Sequence, residues 1–179
     1  RLNKSLMSQS INLYKQLANH KLFNKSVNFG LKRIKLALAL LGHPEKKLKN
    51  VISVVGESGK FTTLFSLKSF IEASNQNVTT HISPSLRDIR ERFYMGEKYL
   101  SHKEIKKTIK QIEKLNIPLT IFECLTLVYI INASKINVDY NIQETGALWR
   151  LDSNNIHDFP KIQICTNINK QHLNFLKRK

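Results

Sequence analysis

With 179 residues, 41% of them apolar, and no run of 18 apolar residues, the chain has the length for one domain with a sizeable core and lacks a transmembrane helix. A net charge of +16 admits a polyanionic partner, but the 29 Lys and Arg are scattered through every segment and acidic residues are merely few, which argues against nucleic acid as the main partner. Cys124 and Cys165 sit singly in apolar segments without C-x-x-C spacing and read as small buried thiols in a reducing cytoplasm.

The chain opens at Arg1 with no basic-then-apolar leader and stops abruptly at Lys177-Arg178-Lys179, which reads as part of a longer protein. Residues 8–20 have helical character, and a polar connection follows at 24–28. Leu31, Ile34, Leu38 and Leu41 recur at helical spacing, and Gly42, His43 and Pro44 stop that helix. The mostly β-branched run 51–55 predicts a strand buried on both faces. A helix over 60–73 carries Leu64, Leu67 and Ile71 on one side. A strand at 78–82 closes at Ser83-Pro84. Ser101 caps the next helix, with Glu104 completing a capping box and Ile105, Ile109, Ile112 and Leu115 forming the stripe. Pro118 ends it. The apolar stretch 119–131, which carries Thr120, Glu123 and Thr126, reads as a buried helix. Strands are expected near 138–143 and 161–166.

Strands alternating with helices predict an α/β domain with a mostly parallel sheet and flanking helices. Ligands of such sheets bind beyond the carboxyl ends of the strands. Gly56 to Lys60, Ser83, Glu144 and the run from Asn167 to His172 all fall there. At the first junction, "GESGKFT", Gly56, Gly59, Lys60 and Thr62 have the chemistry of a phosphate loop. Glycines free the backbone, successive N–H groups and a helix start face one anion, and a lysine adds a full charge. Thr62 offers a hydroxyl where a nucleotide-bound magnesium ion would sit. The pattern departs from G-x-x-x-x-G-K-[ST], because Val54 stands at the first glycine and the hydroxyl comes one residue late. A glycine-containing turn with a solvated lysine is the other reading of this loop alone.

Five further segments extend the pattern. The stretch "FGLKRIKLALALLGHPEKKL" precedes the first strand, and "SPSLRDIRER", "LTIFE", "ETGALWRLDSNN" and "TNINKQHLNFL" follow in order. With the loop, they resemble the folylpolyglutamate synthase/dihydrofolate synthase family of the Mur ligase superfamily over roughly residues 29–176. The resemblance implies a P-loop fold like the Mur ligase central domain, with residues 1–50 a helical lead-in and 51–179 an ATP-binding domain that is incomplete, the C-terminal glutamate-binding domain being absent. It implies an amide ligase that uses ATP and Mg2+ to add L-glutamate to dihydropteroate or tetrahydrofolate, in a cytoplasmic monomer without membrane attachment.

By that resemblance Gly56, Ser58, Gly59, Lys60, Phe61, Thr62 and Thr63 would bind the nucleotide. Lys60, Glu144 and His172 would be catalytic, and Thr62, Ser83, Glu144 and His172 would serve magnesium. Each has a plainer rival. Glu144 also fits a solvated carboxylate, Ser83 a loop cap before Pro84, and His172 a packed or exposed histidine. Glu123 reads as a carboxylate paired with a nearby base, and Asp152 and Asn155 suit a simple turn. The departures are Glu57, Ser58, Phe61, Ser85, Leu148, Trp149 and Gln171. They leave open two alternatives: an inactive nucleotide-binding relative, and a basic nucleic-acid-binding module of similar topology. This stretch of chain alone is not expected to catalyse.

Overall fold

The computed structural model describes residues 4–24, 30–146 and 149–168. The first elements are α1 (Lys4–Ala18), β1 (Phe23–Asn24), α2 (Lys32–Leu40), β2 (Val51–Val55), α3 (Lys60–Ala73) and β3 (Val78–His81). They are followed by β4 (Phe93–Met95), α4 (His102–Glu113), β5 (Leu119–Thr120), α5 (Ile121–Ala133), β6 (Tyr140–Glu144) and β7 (Ile162–Cys165). The principal sheet runs β4-β3-β6-β2-β7, parallel throughout except for β4. The expected α/β architecture is therefore present.

Every residue of β2 is buried. Ile52 and Val54 point into a cluster with Leu64 and Ile71 of α3, Val78 of β3 and Ile142 of β6. Val51 points the other way, into a larger cluster built from α1, α2, α4 and α5. The period-2 alternation of a strand thus feeds two apolar layers, and helices cover both faces of the sheet. α5 is apolar on all sides, as a central helix must be, and residues 123–131 are buried throughout. It starts from a capping box of Thr120 and Glu123, while α4 starts from the expected one of Ser101 and Glu104.

Several details differ from the sequence reading. β4 and the parallel pair β1–β5 were not anticipated, and Leu119 and Thr120 form a strand before the helix begins. Cys165, expected to be buried, is exposed, because among the described residues β7 is the sheet's edge and pairs with β2 alone. Cys124 is buried as expected.

The sheet face toward α5 is partly polar. Thr79 Oγ1 donates to Asn141 Oδ1 at 2.7 Å, so the Tyr129 hydroxyl, 2.7 Å away, donates to Thr79. Asn141 Nδ2 in turn donates to the carbonyl of Lys49 at 2.7 Å. His81 lies between the rings of Phe93 and Tyr129, and burial pushes its imidazole down to about 3, so it is neutral. Thr79→Val would strand both the Tyr129 hydroxyl and the Asn141 carbonyl, at about 2–4 kcal/mol. Tyr129→Phe removes one hydrogen bond and leaves Thr79 donating to Asn141, at about 1 kcal/mol. Urea unfolding should show the larger loss for Thr79→Val at an unchanged slope. Equal losses would contradict this donor order.

Candidate functional site

β3 and β6 lie on one side of β2, and β7 lies on the other. Val54 is opposite Glu144, and Val55 is opposite Cys165. The loop that leaves β2 at Gly56 therefore emerges between the carboxyl ends of two neighbouring strands, at the point where open α/β sheets form a crevice.

Gly56 has φ 132°, and a Cβ there would collide with Thr166 Oγ1 and come within 2.9 Å of the Asn167 carbonyl. Gly59 has φ 77° and is the N-cap of α3. Gly56 thus meets both conditions that favour glycine, left-handed backbone and close approach of another segment, and Gly59 meets the first. As N-cap, Gly59 has no side chain to cap α3, and the first turn carries no acidic residue. Among the described residues, the first-turn N–H groups, which have no partner within a helix, thus keep their positive end unneutralised.

Lys60 folds back over this loop, with Nζ donating to the carbonyls of Gly56 (2.7 Å) and Glu57 (3.3 Å). Phe61 turns away from the crevice. Its ring packs against Phe65 at 4.5 Å, on the apolar cluster beneath α3. Thr62 is exposed and Thr63 half-buried on the same turn. Just after β7, Asn167 Oδ1 accepts from the amides of Glu57 (3.1 Å) and Ser58 (2.9 Å), and the Thr166 hydroxyl donates to the Ser58 carbonyl (2.7 Å).

Glu144 closes β6 and is 4% exposed. Its Oε2 accepts from the backbone amide of Ser83 at 3.1 Å, so the ends of β3 and β6 meet through a main-chain donor. Burial raises the Glu144 carboxyl above its ordinary value, against the opposing pull of the Ser83 N–H, Lys60 and Arg92. Asp152 is raised for the same reason, although it accepts from the Asn154 amide and also feels Lys60. Asn154 is buried and donates to the Glu144 carbonyl at 3.1 Å. Behind them Arg92 donates to the Ile82 carbonyl (3.4 Å) and to Tyr14 Oη (2.9 Å), and Tyr14 Oη is 2.8 Å from Ser85 Oγ. This links α1 to the loop after β3.

Of the residues singled out from sequence, Gly56, Ser58, Gly59, Lys60, Phe61, Thr62 and Thr63 form one junction, and Ser83 and Glu144 meet beside it. Leu148, Gln171 and His172 lie outside the described residues. Glu123 is buried away from this group, with Oε2 accepting from Arg33 Nε at 3.1 Å and from the Thr120 amide at 2.7 Å. Asp152 and Asn155 do make a turn, in which Asn155 N donates to the Asp152 carbonyl, yet the Asp152 side chain is drawn inward. Asn154, Arg92 and Asn167 were not assigned roles from sequence. All three lie in the matched segments, and Asn167 also opens the run singled out beyond the carboxyl end of the last strand. Among the described residues, no group of three or more His, Cys, Asp or Glu is placed to hold a metal ion, and no helix is long and apolar enough to cross a membrane.

No family model matches the chain. The dihydrofolate synthase/folylpolyglutamate synthase of Bacillus subtilis is 31% identical over 156 residues, which is 82% of this chain and 36% of that protein. E. coli FolC in complex with DHPP and ADP superimposes with a TM-score of 0.85 at 30% identity, over 94% of this chain and 40% of that one. The Yersinia pestis bifunctional folylpolyglutamate synthase/dihydrofolate synthase complexed with AMPPNP and Mn ion gives a TM-score of 0.74 at 29% identity, over 87% and 37%. The chain thus spans little more than a third of the length of the curated relative it matches.

A carboxyl whose folded pKa is raised favours the fold while it is protonated. That contribution is present below its ordinary value of 4.5 and is lost as pH rises through the folded value. Glu144→Gln should therefore melt above the parent protein at about pH 8, with the gap closing toward about pH 4. Thermal melts across this range check it, and a gap that widens on acidification would contradict the buried, uncompensated carboxylate.

Proposed function

Since the chain is related to the N-terminal portion of the dihydrofolate synthase/folylpolyglutamate synthases, we propose that it binds ATP in the crevice after β2 and serves an ADP-forming ligase. The ligase would join L-glutamate to dihydropteroate or tetrahydrofolate. The observation that carries this reading is the glycine-dependent loop with Lys60 laid across it, next to a buried carboxylate whose burial its neighbours only partly offset.

In this scheme the Lys60 ammonium leaves the Gly56 and Glu57 carbonyls for the β- and γ-phosphates, beside the open amides at the start of α3. The substrate carboxylate attacks the γ-phosphorus, the bond to the β-phosphate oxygen breaks, and ADP and an acyl phosphate result. The glutamate amine then attacks the acyl carbon, loses a proton and expels inorganic phosphate, leaving an amide. The protein's contribution is alignment and charge stabilisation.

The donors suit magnesium. Glu144, Ser83 and Thr62 offer hard oxygens, and a dication beside Glu144 would lift the burial cost its carboxylate now carries. His172 joins this set by resemblance. When bound, the ion supplies neutralisation of phosphate charge. Glu144 and Ser83 already hold the ends of β6 and β3 together at 3.1 Å, which keeps the oxygens in place. Residues 51–179 are proposed as the ATP-binding domain and 1–50 as its helical lead-in. Glutamate binding is assigned to a domain outside this chain, so the chain alone binds nucleotide without turnover. A cytoplasmic, monomeric enzyme goes with this reading.

Calorimetry with ATP and magnesium tests the first step. Lys60→Ala should weaken binding by about 10- to 100-fold, the scale of one charge-assisted hydrogen bond. In the full-length protein, ADP release should require the pterin acid and glutamate together, and equal release without the pterin would refute the ligase. Salt-sensitive binding of RNA or DNA that is unchanged by Lys60→Ala would point to a basic binding module instead.

A further inference from the structure

The loop after β2 has two halves with different surroundings. In the first half, the consecutive amides of Glu57 and Ser58 converge on one oxygen, Asn167 Oδ1, at 3.1 and 2.9 Å, and the Glu57 amide also reaches the Asn167 carbonyl at 3.3 Å. Two successive N–H groups aimed at one point form a small anion-binding concavity. Here a carboxamide oxygen of the chain itself fills it. In the second half, Gly59 opens α3 and has no side chain to cap it, so among the described residues the amides that follow are left open.

Thr166 fastens the same contact from beside it. Its hydroxyl lies 2.7 Å from the Ser58 carbonyl and 3.3 Å from the Val55 carbonyl, and its amide donates to Val55 at 2.9 Å. The approach is possible because Gly56 lacks a side chain where Thr166 and Asn167 pass. Gly56, Thr166 and Asn167 are one device built where the chain leaves two neighbouring strands, β2 and β7.

We propose that Asn167, supported by Thr166, is a positioning residue for the nucleotide. By occupying the amides of Glu57 and Ser58, it holds the loop in one shape. Phosphate is thereby confined to the amides at the start of α3 and to Lys60. The proposal rests on the ATP-binding reading above and adds what presets the loop. Asn167 touches no phosphate in this scheme and stays in place when nucleotide binds.

The test compares Asn167→Ala, Asn167→Asp and Thr166→Val in the full-length protein, using ADP with magnesium as probe and amide hydrogen exchange at Glu57 and Ser58 as a readout. Asn167→Ala should speed exchange at those two amides and weaken ADP by about tenfold, as the loss of a preset shape would. Asn167→Asp keeps an acceptor at the same place, so the two amides should stay protected. Its added charge should weaken ADP in a manner that fades with salt. Thr166→Val, which keeps the bulk and loses the hydroxyl, should weaken ADP by about threefold. It stands in for Asn167→Ala should that variant fail to fold.

Unchanged exchange or unchanged ADP affinity in Asn167→Ala overturns the positioning role. Amides that lose protection when ADP binds the parent protein overturn it too, because Asn167 would then have been displaced. A parent protein that binds ADP no better than Lys60→Ala overturns the ATP-binding reading, and this proposal falls with it. Lys60-dependent binding that ignores Asn167 overturns this proposal alone.

Discussion

β2 is hydrogen-bonded along both edges, to β6 from Val51 through Val54 and to β7 from Ile52 through Val55. A strand held this way, and buried on both faces, cannot slide or tilt without breaking two ladders and two apolar layers. Its end is therefore a fixed point. The loop from Gly56 to Lys60 starts from it, Glu144 is carried to it by β6, and Thr166 and Asn167 are carried to it by β7. Four apolar residues and a buried serine, Val51–Val55, are the sequence cause of a site whose chemistry lies entirely in other segments.

The electrostatics follow from the same crowding. Glu144 and Asp152 are both pushed toward neutrality by burial, and Lys60 acts on each from a distance. Lys60 nevertheless spends its hydrogen bonds on the carbonyls of its own loop. A direct Lys60–Glu144 pair would satisfy both charges and leave little for a ligand. Among the described residues the two make no such pair, and in the ATP-binding reading proposed above this leaves the lysine for phosphate oxygens and the carboxylate for a metal. Uncompensated burial lowers stability, and such costs concentrate at sites that bind or react.

Legibility followed locality. The strand at Val51–Val55, the glycines after it and the stripe of α3 are encoded within about twenty consecutive residues, so pattern alone located them. The capping box of α4 is likewise a four-residue statement. β4, β1 and β5 run for three, two and two residues, lengths at which partners decide the conformation and no period can be counted. The buried polar residues Thr79, His81 and Asn141 also break the rule that a strand inside a sheet is apolar, because Tyr129 on α5 comes down to meet them. Asn167 and Asn154 were the least legible. An asparagine after a strand is ordinarily a turn residue, and only the register of β7 on β2 shows that it reaches across to Glu57 and Ser58.

Two residues that looked wrong for a phosphate loop, Phe61 and Glu57, are accommodated differently. Phe61 is the easier case: the first turn of α3 directs it down onto Phe65 and the cluster that Ile164 of β7 also joins, so its bulk adds packing and leaves the crevice clear. Glu57 is a question of charge. A carboxylate about 5 Å from a phosphate charge costs on the order of 3 kcal/mol at an effective dielectric near 20, and less as solvent screens it. Its backbone, however, is pinned by both the carbonyl and the side chain of Asn167. A loop so pinned presents the amides beyond Gly59 regardless of which side chain position 57 carries. What constrains this loop is therefore the glycines at 56 and 59, the Thr166–Asn167 segment that passes the first of them and the ammonium of Lys60, and positions 57 and 58 are freer to diverge.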